Sequence, residues 1–346
     1  MTRQPVFEHE ATPAAVPPPS AGDVPGRRPQ RFGLLPYRRW GGPLRPGYHA
    51  VWPIARVALV LMFRRKLFWV LYALALFTFL MFFFGQYLLA WALSQVGEQR
   101  IPLWQGGPRI NPTWLIQQVR DGLGINGSPQ MYRTFLGYQG SMVMVVLALA
   151  GSLLVGNDFR YGSLPFYLSK PISRWHYLLG KCLAVAVFVN MMTTLPAVVL
   201  FVQYGLLQAD GVRTAWSYFT EQRWLLLGIV GYGGILTVCF SLLLVATACW
   251  LRRTVPMIMV WAALFIFCRL IAAALVNWLH GPATCRLIDL WNNAYLLGSA
   301  CLGLEMATVR PQPQPSLWQA ALTLAGVCLG CLIYLNRQLR AVEVVS

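Results

Sequence analysis

Six apolar stretches of about 20 residues or more recur along the sequence, and they leave the backbone few choices. They run roughly over Leu67–Leu93, Thr134–Gly156, His176–Leu206, Trp224–Leu251, Thr254–Leu279 and Ser316–Asn336. An α-helix rises ~1.5 Å per residue, so ~20 residues cross the ~30 Å of hydrocarbon in a bilayer. Within lipid every backbone N–H and C=O must be bonded internally, which admits only helices and closed barrels. Barrel strands alternate apolar and polar side chains, and these runs do not. The expected fold class is therefore an all-α membrane protein with six transmembrane helices.

Composition points the same way. Charged residues make up 11% of the chain, less than half of the ~25% usual in soluble proteins. The formal net charge is nevertheless +17. Because the basic residues flank apolar runs, anionic lipid headgroups are the expected partner and nucleic acid is not. Six of the eight cysteines (Cys182, Cys239, Cys249, Cys268, Cys328 and Cys331) fall inside spans, where cysteine acts as a small hydrophobe. Cys285 and Cys301 share one non-membrane loop, where a disulfide is the alternative to two free thiols.

Lys and Arg near the span ends set the orientation. Segments 46–66, 157–175, 252–253 and 337–346 carry 11 basic residues in 52 positions, against 8 in 93 for the loops on the other side. The denser side is expected to be cytoplasmic, with both termini there, in a multi-pass protein of the plasma (inner) membrane. Residues 1–45, rich in Pro, Ala, Gly and Arg, are expected to be a disordered cytoplasmic tail without a signal sequence. Residues 46–346 then form the membrane domain. Just before the first span, HAVWPIARVALVLMFRRK mixes Trp52, Ile54, Val57, Leu61 and Phe63 with Arg56, Arg64, Arg65 and Lys66. This pattern suits an amphipathic helix in the headgroup plane, the alternative being an extension of the first span.

The outer loops are not plain connectors. NPTWLIQQVRDGLG places Asn111 as a helix cap, with Leu115, Val119 and Leu123 on one face. Residues 280–315 are apolar enough to dip part-way into the membrane as a re-entrant helical pair, tolerated only where protein buries it.

Several chemistries lack their residues. No acid falls inside a span, Asp158, Asp210, Glu221, Asp289 and Glu305 all being in loops, and His176 and His280 sit at span ends. Proton-coupled transport and haem binding lose their usual anchors. No phosphate-binding loop is present, so no ATP or other cofactor is expected on this chain. The glycines at 228, 231, 233 and 234 read as close helix packing. Asn190, Thr193 and Thr194 share one face of the third span, either as hydrogen-bonded glue or as a wetted translocation path. Arg269 is the one charge well inside a span, and it suits a path or a structural role equally.

Between the second and third spans lies NDFRYGSLPFYLSKPISRWHYLLGK, residues 157–181. Ser163 can cap a short helix with Leu164, Tyr167 and Leu168 on one side, and Pro165 is acceptable in the first turn. Pro171 ends that helix, and Ser173 is placed to cap the third span. A solvated connector has no use for Leu164, Phe166, Tyr167 and Leu168 together, so an apolar docking knob is the better reading.

Here the sequence resembles the membrane-spanning permease subunits of ABC-2 type exporters. Those proteins have six spans, an amphipathic helix before the first, and a cytoplasmic coupling helix between the second and third. The resemblance lies in Asp158 standing four residues before Gly162-Ser163, then a Leu-containing helix, then Ser169-Lys170-Pro171-Ile172-Ser173-Arg174 and Leu178-Leu179-Gly180-Lys181. The family usually shows Glu and Gly-Thr where Asp158 and Gly162-Ser163 stand, and Pro165 departs further from its pattern. The resemblance implies that Asp158, Arg160, Gly162, Ser163, Leu164, Phe166, Tyr167, Leu168, Ser169 and Lys170 dock on a separate ABC ATPase subunit. That subunit would hold ATP and Mg, so the chain itself is not expected to be an enzyme. A second permease chain, identical or not, would complete the pathway. The competing class is a membrane-embedded enzyme or envelope-assembly protein on a six-span bundle. Its polar groups would have to come from His280, Asp289 and Glu305 in one outer loop.

Overall fold

The computed structural model describes residues 47–95, 101–102, 109–110, 124–151, 173–207, 212–251, 253–305 and 313–343. All of them fall in the compact unit Arg45–Ser346. Among these residues the architecture is helical, save for a two-residue antiparallel pairing of Ile101–Pro102 with Arg109–Ile110.

Among the described residues five helical segments are long and apolar enough to cross a membrane: Phe68–Trp91, Trp175–Leu207, Arg223–Leu251, Thr254–Asn277 and Leu317–Gln338. Sequence predicts a sixth at Thr134–Gly156. There the structure has helix α3, Pro129–Gly151. Its first turns carry Gln130, Arg133 and Thr134, and the apolar residues 152–156 that would complete the span lie outside the described residues.

The exposed tryptophans mark out a slab. Among the described residues nine stand exposed, and seven of them (Trp69, Trp91, Trp175, Trp224, Trp250, Trp278 and Trp318) lie within two residues of a span end. Tryptophan prefers the membrane–water boundary, where its ring is half in hydrocarbon. Trp69 and Trp91 are separated by ~33 Å of helix rise, close to one bilayer core.

Helix α1 (Val51–Phe63) precedes helix α2 (Lys66–Gln95) and is distinct from it. The turn between them is closed by the Arg64 and Arg65 N–H groups donating to Val60 and Met62, and by the Trp69 indole N–H donating to the Phe63 carbonyl (2.8 Å). α2 runs antiparallel to α3: Gln86 Nε2 reaches Met131 Sδ at one end and Gln139 Nε2 donates to the Ala75 carbonyl at the other.

The third span is two helices, α4 (Arg174–Met192) and α5 (Thr194–Leu207), joined through Thr193. Pro196 cannot donate to Met192, which explains the break. Ser173 is the residue before α4, as its sequence suggested, and has extended backbone. Its hydroxyl makes no cap bond, lying instead 2.6 Å from His176 Nδ1.

Helix α6 (Val212–Glu221) is short and folds back on α5, setting Phe219 and Tyr218 over Gly205 and Phe201. Burial, with Tyr204 alongside, pushes the Tyr218 phenol up to about 12. Helix α7 (Arg223–Leu251) is the central post of the bundle. The fifth candidate segment in sequence comprises α8 (Thr254–Ala262), a π turn (Ala263–Phe267) and α9 (Cys268–Asn277). After a 3-10 turn (Ala283–Ile288) come α10 (Leu290–Cys301) and α11 (Leu317–Glu343).

Candidate functional site

The ten candidate docking residues, Asp158, Arg160, Gly162, Ser163, Leu164, Phe166, Tyr167, Leu168, Ser169 and Lys170, lie outside the described residues, as does the proposed helix at Asn111–Gly124 apart from its last position. What is described is α4, which follows them in sequence, and the helix packed against it. α1 lies along α4, burying Ile54, Ala55, Ala58, Leu59 and Met62. Gly180 makes this possible. A Cβ there would come within 2.8 Å of Ile54 and 3.1 Å of the Val51 carbonyl, so only glycine lets the two backbones approach. Beside it, Tyr177 and Lys181 are buried, with the ammonium 5.7 Å from the ring centroid. Trp52, Arg56, Val57 and Leu61 stay on the outer face of α1.

Of the four candidate path residues, the structure brings three together and leaves the fourth apart. Asn190 Nδ2 donates to the Ala186 carbonyl (2.8 Å) and across to Thr237 Oγ1 on α7 (2.9 Å). Its Oδ1 accepts from Thr194 Oγ1 (2.7 Å). Thr193 is fully buried and donates to the Val189 carbonyl (2.8 Å). Thr194 packs directly on Gly233, where any Cβ would collide with its hydroxyl. Gly228 and Gly233 of α7 thus serve close packing, Gly231 is in ordinary contact and a Cβ at Gly234 would meet nothing within 4 Å. The Asn–Thr group stitches α4, α5 and α7 together just where Pro196 frees a carbonyl. Arg269 stands elsewhere, exposed on α9 among the exposed Ile266, Phe267, Leu270 and Ile271. It is eight residues from Asn277, ~12 Å of helix rise, within reach of an aqueous boundary for a long side chain.

Sequence reasoning missed three amides. Gln86, Gln139 and Gln203 each donate across helices, the last from Nε2 to the Phe83 carbonyl (2.8 Å). Each leaves its Oε1 buried without a partner. An isolated amide in an apolar run is the only sequence signal, and its partner lies on another helix.

The largest correction concerns residues 280–305. They do fold into the bundle, as their composition suggested, but as a 3-10 turn and one helix, with Asp289 at the innermost bend. Trp291 stacks on Phe240, planes 4° apart and centroids 6.2 Å apart. Phe240 lies mid-way along α7, and Leu290 shares a cavity with Phe265, the midpoint of Thr254–Asn277. The other end of α10 returns to the start of α7, where Cys301 presses on Gly228 and Tyr232 on Gly298. Asp289 belongs to a loop by sequence yet is buried at mid-height of the bundle. Its carboxylate caps α10 by accepting the Asn292 N–H (3.0 Å). Asn292 Nδ2 donates to Gln314 Oε1 (3.2 Å) and Asn293 Nδ2 to the Leu287 carbonyl (2.8 Å). His280 and Glu305 are exposed, unlike Asp289. Among the described residues no three His, Cys, Asp or Glu side chains are gathered to hold a metal ion. All eight cysteines are free thiols, Cys285 and Cys301 included.

No protein-family model matches the chain, and no curated protein is significantly similar to it.

Proposed function

We propose that this chain is the permease subunit of an ABC-2 type exporter, with six spans, cytoplasmic termini and a coupling segment at Asp158–Lys170. In this reading a separate ABC ATPase binds the coupling segment, a second permease chain completes the pathway, and the assembly sits in the plasma (inner) membrane. The observation that carries the reading is the seat of α1. A helix with basic and aromatic residues outward is clamped through Gly180 onto the start of the third span, immediately beyond the docking segment. Movement transmitted from residues 158–170 into α4 would reach α1 directly. The Asn190 group would then tie α4 to the central post, so that the third span moves with α7. In this reading α10, packed along α7 from Phe240 to Gly228, would close the outer end of the path.

The test is ATPase retention. Tyr167→Ala removes an aromatic anchor worth ~2 kcal/mol at an interface centre, or roughly thirtyfold in association. ATPase activity recovered with the affinity-purified chain should fall accordingly, while thermal stability holds. Leu178→Ala, at a buried position of α4, should instead lower the melting temperature and spare retention. Normal retention with early melting for Tyr167→Ala would make the segment a structural clamp and remove the exporter reading's main support.

A further inference from the structure

Between α2 and α5 the surface opens into a crevice of about 680 Å³. Phe83, Phe84 and Tyr87 form one wall, and Val199, Val202 and Leu206 face them. Gln203 lies in the floor, its Nε2 bonded to the Phe83 carbonyl, which pins the two helices and fixes the width of the gap. We infer that this crevice is a lipid-binding site that holds one acyl chain of a bilayer phospholipid.

Three observations select that occupant. Both walls belong to segments long and apolar enough to cross a membrane, Phe68–Trp91 and Trp175–Leu207, so hydrocarbon is what borders them. The crevice wall on α5 runs from Val198 to Leu207, ~14 Å of helix rise, about half the ~30 Å hydrocarbon core. That length fits one leaflet's acyl chain and is too short for a membrane-spanning partner helix. At its outer end Tyr87 and Trp91 are exposed on α2, the side chains that settle at headgroup level. Left empty, the apolar walls would lose the dispersion contacts that a filling chain restores. A chain held on three sides should exchange more slowly than lipid on an open face.

The inference depends on membrane embedding and not on the exporter reading, so loss of ATPase retention would leave it standing. The full chain would be reconstituted in phosphatidylcholine–phosphatidylglycerol vesicles containing a phospholipid with a photoactivatable acyl chain. After detergent extraction and washing, irradiation and mass spectrometry would map the adducts. Adducts should persist at Phe84, Val199, Val202 and Leu206. They should be severalfold scarcer at Leu322, Leu329 and Ile333, comparably exposed on the open face of α11. Val202→Trp should fill the crevice and abolish the retained adducts, and if it fails to insert, Val199→Phe on the rim makes the same test. Equal labelling of crevice and open face would mean exchanging boundary lipid only. Cross-links from Val199 or Val202 to a second protein chain would mean that protein covers the crevice. Either result overturns the inference.

Discussion

The spans Trp175–Leu207 and Arg223–Leu251 bury 44% and 50% of their most apolar windows, whereas Phe68–Trp91, Thr254–Asn277 and Leu317–Gln338 bury only 17%, 17% and 11%. Hydropathy does not separate the two groups, since the outer three lie on both sides of the inner two. What separates them is shape and polarity. The inner pair carries most of the span glycines against which other elements press, Gly180, Gly205, Gly228 and Gly233, with Gly85 on Phe68–Trp91 the exception, together with Asn190, Thr194 and Thr237 bonded to one another. The outer three show bulky apolar side chains to their surroundings, among them Phe77, Leu270 and Leu329. In lipid, apolar area gives helices little reason to associate, because the alternative solvent is equally apolar. Close approach and inter-helix hydrogen bonds take over that role; close approach is concentrated in the inner pair, while the hydrogen bonds also reach Phe68–Trp91 through Gln86, Gln139 and Gln203.

Glycine substitutions should break the contrast most visibly. Gly228→Val would drive its side chain into the Cys301 carbonyl and the Leu302 backbone, which have no rotamer to give. A loss of ~3 kcal/mol or more is expected, at the upper end of overpacking costs, seen as a large drop in thermal stability in detergent. Gly326→Leu on α11 meets nothing within 4 Å, and should melt no lower than the parent because leucine favours helix over glycine. Similar losses for both would erase the distinction between inner and outer spans.

Asn190→Ala should come next. It unties Thr237 and Thr194 at once, and inter-helix hydrogen bonds in membranes are worth ~0.6 kcal/mol each on average. A loss of ~1 kcal/mol in a chemical-denaturation series would fit, and no loss would mean water replaces the side chain. Leu329→Ala on the exposed face of α11 should be smallest, under ~0.5 kcal/mol. A larger effect would show that the face is covered by protein.

Five of the six expected spans were legible because length and apolarity are properties of one segment. So was the packing of residues 289–302 into the bundle, for the composition of that stretch was wrong for a free loop. What escaped the sequence depends on other segments. Asp289 reads as a loop acid until Trp291 finds Phe240 and carries the bend to mid-height. Gln86, Gln139 and Gln203 have no partner on their own helices, so no spacing announces them. Nothing near residues 263–267 foretells a π turn, for the stretch ALFIF contains neither proline nor glycine.

That π turn acts as a phase correction. The buried residues of its span are Met257, Trp261, Phe265, Ala272 and Val276. In an unbroken α-helix each residue turns ~100°, and Val276, nineteen positions on, would finish ~100° around the axis from Met257. A π turn takes in about one extra residue without an extra turn, cancelling the lag. The buried stripe therefore runs straight. Deleting any one residue of Ala263–Phe267 would relax the segment to an ordinary helix while swinging everything from Cys268 onward by about 100°. A one-codon deletion would thus rotate half a span like a key in its lock, carrying Arg269 off its present face.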